Sequence, residues 1–163
     1  VGFFSFYAAK KIGTSGEVYS FEPISDVSNI LIKSRESANI KNIILAPFAV
    51  GSQVGKITFN FSKDNIGGSS QDSVGTSIEV SQTSIDSYIF QNNIKCINFI
   101  KMDIEGMEPE ALRGAEQVIK KWKPKLAICT YHDPKHPELL EKIIKDFDPS
   151  YNIYHSSHKL FAW

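Results

Sequence analysis

The sequence predicts an α/β domain in which a mostly parallel sheet is covered by helices on both faces, and three observations carry that prediction. Apolar runs of strand length alternate through most of the chain with segments whose apolar residues recur at helical spacing, as successive strand-helix units require. Two of those runs, 96–102 and 126–131, are nearly continuous in apolar residues, the pattern of strands buried on both faces. The 163 residues, 42% of them hydrophobic, suffice for one domain with a real core and are few for two.

Taken in order, residues 3–11 read as a helix that stops at Gly13, and Ser15-Gly16 turns the chain into a strand over 17–22. Pro23 lacks the N–H needed to extend a ladder. Ile24, Val27, Ile30, Leu31 and Ala38 form one helical stripe over 24–39, and a strand follows at 42–48. Residues 56–61 and 77–83 alternate with period two around the Gly/Ser/Asp-rich stretch 65–75, which predicts an inserted β-hairpin whose tip is a lid or a plain disordered loop. A short helix near 85–90 leads to the strand 96–102, which ends at Asp103. Pro109 suits the first turn of the next helix, and Ala111, Leu112, Ala115, Val118, Ile119 and Trp122 continue a single stripe up to Pro124. Then come the strand 126–131, a helix over 136–147, and an antiparallel C-terminal hairpin from 151–154 and 160–163.

Charge and composition exclude several partners. Eighteen basic residues balance eighteen acidic ones, so no global field gathers nucleic acid or an anionic membrane. Lys120, Lys121, Lys123 and Lys125 straddle the end of a predicted helix, where cations complement the exposed carbonyls. No run approaches the ~18 consecutive apolar residues of a membrane-spanning helix. Cys96 and Cys129 lie in apolar runs, which predicts two buried thiols in a reducing, cytoplasmic setting. The opening Val1-Gly2-Phe3-Phe4 has neither Met nor a basic flank, so it does not read as a signal peptide, and further chain is expected upstream.

Three strand ends concentrate the polar chemistry. Glu22 ends the strand that follows the first helix, where a carboxylate in nucleotide-binding α/β folds accepts ribose hydroxyls. Asp103, Glu105 and Glu108 fall within six residues directly after a buried strand; Glu108 suits a helix cap, whereas Asp103 and Glu105 stand where strand ends present side chains to a ligand, beside the permissive Gly106. His132, with Asp133, ends the next buried strand. Parallel neighbours put these ends side by side, so His132 and Asp103 should face one crevice, with His132 as a candidate general base. These acids and the imidazole could also hold a divalent cation, but their spacing matches no specific metal motif. His136, His155 and His158 carry no such placement.

Four stretches together resemble the FkbM family of S-adenosylmethionine-dependent methyltransferases. They are Val1-Gly2-Phe3-Phe4-Ser5 leading to Gly16-Glu17-Val18-Tyr19-Ser20-Phe21-Glu22-Pro23; Ala49-Val50-Gly51 with Gly55; Thr83-Ser84-Ile85-Asp86-Ser87; and Ile100-Lys101-Met102-Asp103-Ile104-Glu105-Gly106-Met107-Glu108 with Leu112, Gly114-Ala115, Pro124 and Tyr131-His132. Ile85 stands where the family commonly has Leu. The resemblance implies a Rossmann-like class I methyltransferase sandwich of three layers that uses S-adenosyl-L-methionine. Its methyl group would pass to a hydroxyl of a small-molecule acceptor, such as a sugar or polyketide. In that reading Gly2, Glu22, Pro23, Phe48, Ala49 and Asp103 serve the cofactor, while His132, Asp103 and Glu105 serve the reaction, with no metal. The rivals are a non-catalytic scaffold domain and a nicotinamide-dependent oxidoreductase.

One departure generates a prediction. Family members carry an Asp-x-Gly-Ala-Asn stretch that closes a central first strand, and it should stand just ahead of Val1. Without such a strand two buried sheet edges would lose their partners, each unpaired group costing on the order of 1–3 kcal/mol. The parent gene is expected to encode an Asp-x-Gly-x-Asn-like strand end immediately before Val1. An initiator Met at that point, in a chain that folds cooperatively alone, would refute this.

Overall fold

A computed structural model describes residues 2–61 and 76–163; Val1 and the expected hairpin tip over 65–75 lie outside the described residues. The first helix, α1 (Phe3–Ile12), is bounded by Gly2 and Gly13, both at positive φ (71° and 67°), and carries Lys10 and Lys11 in its last turn. The Asn42 side chain closes its far end by donating to the carbonyls of Ala9 (3.1 Å) and Gly13 (2.7 Å), the first of which also accepts the Gly13 N–H. Strand β1 (Val18–Phe21), helix α2 (Ser25–Ser37) and strand β2 (Ile43–Ala46) follow. Pro47 ends β2 because it has no N–H to give. The buried face of α2 consists of Val27, Ser28 and Leu31, so Ile30 of the expected stripe points outward.

Three sheets result, and they are mixed rather than mostly parallel. β1 pairs with β2 in parallel. β3 (Ala49–Val50), β4 (Gly55–Phe61) and β5 (Thr76–Thr83) form a second sheet, with β4 antiparallel and β3 parallel to the central β5. The two-residue β3 has no signature of its own in the sequence. After helix α3 (Ile85–Gln91) come strand β6 (Phe99–Met102), helices α4 (Glu108–Arg113) and α5 (Glu116–Trp122), strand β7 (Lys125–Cys129), helix α6 (His136–Phe147) and strands β8 (Ile153–His155) and β9 (Lys159–Ala162). The third sheet runs β6-β7-β9-β8: parallel at β6/β7, antiparallel at β7/β9 and β8/β9. Its inner face holds the main core, where Ile100, Met102, Leu126, Ile128 and Leu160 pack against Leu112, Ile119, Leu140 and Ile144.

Helix α1 joins the first and third sheets. Ser5 shares a hydrogen bond with Ser20 of β1 (2.9 Å), while Phe4 stacks on Phe99 of β6 at 6.0 Å between ring centroids. Among the described residues β1 has no ladder partner besides β2, and β6 none besides β7. This free edge explains why β6 departs from the expected strand buried on both faces: Phe99 is 46% exposed. Cys96, expected to be buried, is exposed just before the strand, whereas Cys129 is buried as expected.

The helix expected from Pro109 to Trp122 is broken in two. At the break Gly114 sits so close to another segment that a Cβ there would lie 2.1 Å from the Gly51 carbonyl oxygen and 3.0 Å from Ser84 Cβ. The φ of Gly114 is −72°, so contact and not backbone freedom demands glycine. The Gly114 carbonyl accepts from Asp86 N–H (2.8 Å), and the Asp86 carboxylate in turn takes the N–H groups of Gln117 and Val118, both at 2.9 Å. Asp86 thus caps α5 from another helix, satisfying two donors that the helix itself cannot. Loss of the cap in Asp86→Ala should lower stability by about 0.5–2 kcal/mol. The Gly114→Ala clash should cost about 1–3 kcal/mol. Urea melts of both variants check this; a Gly114→Ala protein as stable as wild type would refute the close approach.

Candidate active site

The parallel register of β6 and β7, with Met102 opposite Ile128, brings the segments after both strands out at one end of the third sheet. From the first segment come Asp103 and Glu105, and Glu108 opens α4; from the second come Tyr131 and His132. His132 Nε2 lies 3.5 Å from Asp103 Oδ1 and 3.5 Å from Glu108 Oε1, and Nδ1 lies 3.6 Å from Glu105 Oε2. The expected convergence of His132, Asp103 and Glu105 is therefore present. Glu105 reaches His132 from a left-handed backbone (φ 54°), followed by Gly106 at φ 99°. A non-glycine residue in that region carries strain of order 1–3 kcal/mol, a feature that clusters at functional sites.

Asp103 is held on both oxygens. Tyr131 donates its phenol to Oδ1 at 2.7 Å, and the Lys101 ammonium meets Oδ2 at 3.2 Å. Burial works to raise the Asp103 pKa, but the Tyr131 bond, the Lys101 charge and the Cys129 thiol outweigh it, and the carboxyl sits below its ordinary value. The partners respond in the opposite direction. The bond to Asp103 pushes the Tyr131 phenol far above its usual range. Burial, helped by the bond to Asp103, pushes the Cys129 thiol up to about 11. At neutral pH Asp103 is thus an anion, and Tyr131 and Cys129 are neutral donors. Cys129 is consequently no nucleophile, since the thiolate is the reactive form.

Behind His132 the site is closed off from bulk solvent. Glu108 is fully buried, with Oε1 accepting the N–H of Ile104 at 2.8 Å. Its Oε2 lies 3.7 Å from Nδ1 of His136, the first residue of α6. Glu108 Oε2, His132 Nε2 and His136 Nδ1 are buried with no hydrogen-bond partner, a concentration that ordinary cores avoid. Among the described residues no group of three or more His, Cys, Asp or Glu is arranged to hold a metal ion.

The expected cofactor residues are spread more widely. Glu22 follows β1, half-buried. Its Oε1 accepts Ile24 N–H at 3.0 Å, its backbone is fixed by Ala46 O and by the Ser28 hydroxyl, and Oε2 has no partner among the described residues. Burial raises its pKa, only partly offset by the Ile24 bond. Gly2 begins α1, beside the end of β1 where Ser5 meets Ser20; a Cβ on Gly2 would lie 2.3 Å from Leu31 Cδ1. Phe48 is half-buried with its ring 6.2 Å from Tyr88, which also packs edge-on to Phe21 at 4.8 Å. Ala49 is packed with Phe59 and Val80 in the second sheet and offers no side-chain surface to a ligand. Pro23 lines a cleft of about 590 Å³ between α2 and β2, along with Ile32, Ile43, Leu45 and Pro47. This cleft contains no carboxylate or imidazole, and its Arg35 is tied to the Ile43 carbonyl at 3.1 Å. The cluster of carboxylates and imidazole lies instead at the ends of β6 and β7.

The sequence pattern assigned no role to Tyr131, Lys101, Glu108 or His136 at this site. For Glu108 the pattern misleads, because an acid in a helix first turn is an ordinary dipole partner; only the packing of α4 under α6 reveals its burial. Tyr131 was legible in principle, standing beside His132 at a strand end. His158 also approaches, with its ring 6.2 Å from that of Tyr131, whereas His155 pairs with Glu141 at 2.6 Å.

Comparison with known proteins identifies the family. The chain is similar over residues 1–151 to the methyltransferase FkbM domain. It also resembles the crystal structure of Methyltransferase FkbM from Methylobacillus flagellatus KT, with 25% identity and a TM-score of 0.65 over 90% of this chain. The chain spans 36% of the length of that protein. A search among curated proteins finds no match. With its strand-end motifs and nearly its whole length matched, the chain belongs to the FkbM methyltransferase domain family.

Proposed function

We propose that the protein transfers the methyl group of S-adenosyl-L-methionine to a hydroxyl of a sugar, polyketide or related small metabolite. The observation that carries this reading is His132, set among Asp103, Glu105 and Glu108 at the joined ends of β6 and β7. The wider fold we assign is the Rossmann-like three-layer sandwich of class I methyltransferases. The described residues fit the cofactor: Glu22 has an oxygen without a partner at a strand end, the place where ribose hydroxyls bind in such folds. When bound, the cofactor supplies an electrophilic methyl group.

The chain's own residues supply alignment and proton removal. Glu22 holds the ribose, Gly2 and Pro23 shape the neighbouring backbone, and Phe48 with Tyr88 forms the apolar wall toward the base. Asp103, kept ionised by Lys101 and Tyr131, marks the crevice toward the methionine part. His132 takes the proton of the acceptor hydroxyl, and Glu105 faces that acceptor. A neutral imidazole does this near neutral pH; an imidazolium cannot. A scaffold would have no use for an imidazole among three carboxylates, and the family match does not favour an oxidoreductase. Free Cys96 and Cys129 fit a reducing, cytoplasmic compartment. No helix among the described residues is long and apolar enough to cross a membrane.

Calorimetric titration of the parent protein with S-adenosylhomocysteine and with NAD tests the reading; binding of NAD alone would overturn it. Glu22→Ala should weaken S-adenosylhomocysteine by roughly ten- to a hundredfold, because hydrogen bonds to a charged acceptor are lost. In the wild type, affinity should fall with decreasing pH, and the fall should begin above the usual carboxylate range. The reason is that burial raises the Glu22 pKa and the protonated acid accepts less well. An affinity that is flat with pH would separate Glu22 from the ribose. His132→Ala should slow single-turnover methyl transfer by roughly 10²–10⁴ with cofactor affinity nearly unchanged. A rate loss below about threefold, measured per folded molecule, would retire it as the base.

A further inference from the structure

The geometry points to Glu108 as a positioning residue for His132: its buried carboxylate keeps the imidazole proton on Nε2 and leaves Nδ1 as the nitrogen that accepts. The two ring nitrogens have different surroundings. Nε2 is buried without a hydrogen-bond partner, and the polar atoms nearest it are two carboxylate oxygens, Glu108 Oε1 and Asp103 Oδ1, each at 3.5 Å. A lone pair placed there would face two anionic oxygens and no donor, whereas an N–H would be attracted to both. Nδ1 lies on the opposite edge, toward the more exposed Glu105.

Of the two carboxylates facing Nε2, Glu108 is the one with fewer other donors. Asp103 already receives Tyr131, Lys101 and the Cys129 thiol, and more than a third of its side chain is exposed. Glu108 has only the Ile104 N–H on Oε1, with His136 Nδ1 near Oε2, and is fully buried. A buried carboxylate with an oxygen left unpaired is disfavoured, so imidazole N–H groups from His132 and His136 are the donors its surroundings offer it. The separations of 3.5 and 3.7 Å exceed hydrogen-bond length, as catalytic contacts often do before a substrate closes the site. The Ile104 bond fixes Glu108, so the carboxylate serves as a fixed reference against which the ring is oriented.

The catalytic meaning of this assignment rests on His132 being the base, but its test needs neither acceptor nor cofactor, so either can fail without the other. Long-range ¹⁵N–¹H correlation spectra of histidine-labelled protein, taken above the pH at which the imidazoles titrate, report each ring's tautomer directly. His132 is expected as the Nε2–H form. Glu108→Gln retains an oxygen for Ile104 N–H but removes the charge, and should move the His132 tautomer ratio toward Nδ1–H by roughly tenfold. Asp103→Asn should move it far less. Three results overturn the assignment: a wild-type His132 that is mainly Nδ1–H, a folded Glu108→Gln protein with an unchanged ratio, or a larger shift in Asp103→Asn than in Glu108→Gln. Should Glu108→Gln not fold, the wild-type tautomer and the Asp103→Asn shift still decide.

Discussion

Most of what this domain can do depends on the parallel pairing of β6 with β7. The pairing is possible because Ile100, Met102, Leu126 and Ile128 are apolar where they enter the core, and α4, α5 and α6 cover them. Parallel strands place their C-terminal ends together, so the chain leaves the sheet twice at one spot, at Asp103 and again at Thr130. A shift of register by one residue would turn Met102 out of the core. It would also carry Asp103 away from Tyr131 and His132.

Polar groups at that spot are arranged by degrees of burial. Asp103, partly exposed, has direct partners from both strand ends: Lys101 of β6, Cys129 of β7 and Tyr131 just after it. Glu108 is wholly buried and lacks any cation. Its partners are the Ile104 amide and two imidazoles that sit just beyond hydrogen-bond length. The first arrangement is satisfied at rest. The second is not, and such unsatisfied groups in a native fold call for an explanation beyond stability. The left-handed Glu105 has the same character: with Gly106 it turns the chain so that Glu105 faces one edge of His132 while Glu108, three residues later, faces the other.

How far the sequence disclosed this can be judged residue by residue. The helix over 136–147 and the meeting of His132 with Asp103 follow from periodicity and from the rule that adjacent parallel strands end together, both properties of short segments. The break at Gly114 does not, because its cause is the Gly51 carbonyl, distant in sequence, and the compensating cap is Asp86. Burial of Glu108 and exposure of Cys96 and Phe99 are likewise decided by which element lies overhead, a fact no local pattern contains. β3 is visible only through its partner β5. The general rule is that residues whose role is set by their own segment were legible, and those set by a crossing segment were not.

The contrast between the two ends of the proposed cleft follows from the same physics. Glu22 is held by backbone groups and by the Ser28 hydroxyl of α2, so its geometry is fixed by secondary structure and one oxygen stays open. A cofactor site of this kind needs only a rigid strand end, and fold-level rules foresee it. The His132 end depends instead on side chains from the segment after β6, from α4 and from the segment after β7 around one imidazole, with His136 of α6 against Glu108 behind it. There a displacement of any single element changes which nitrogen is covered. On the proposed reading the cofactor side can therefore remain constant while acceptor chemistry diverges through small shifts of α4 and α6.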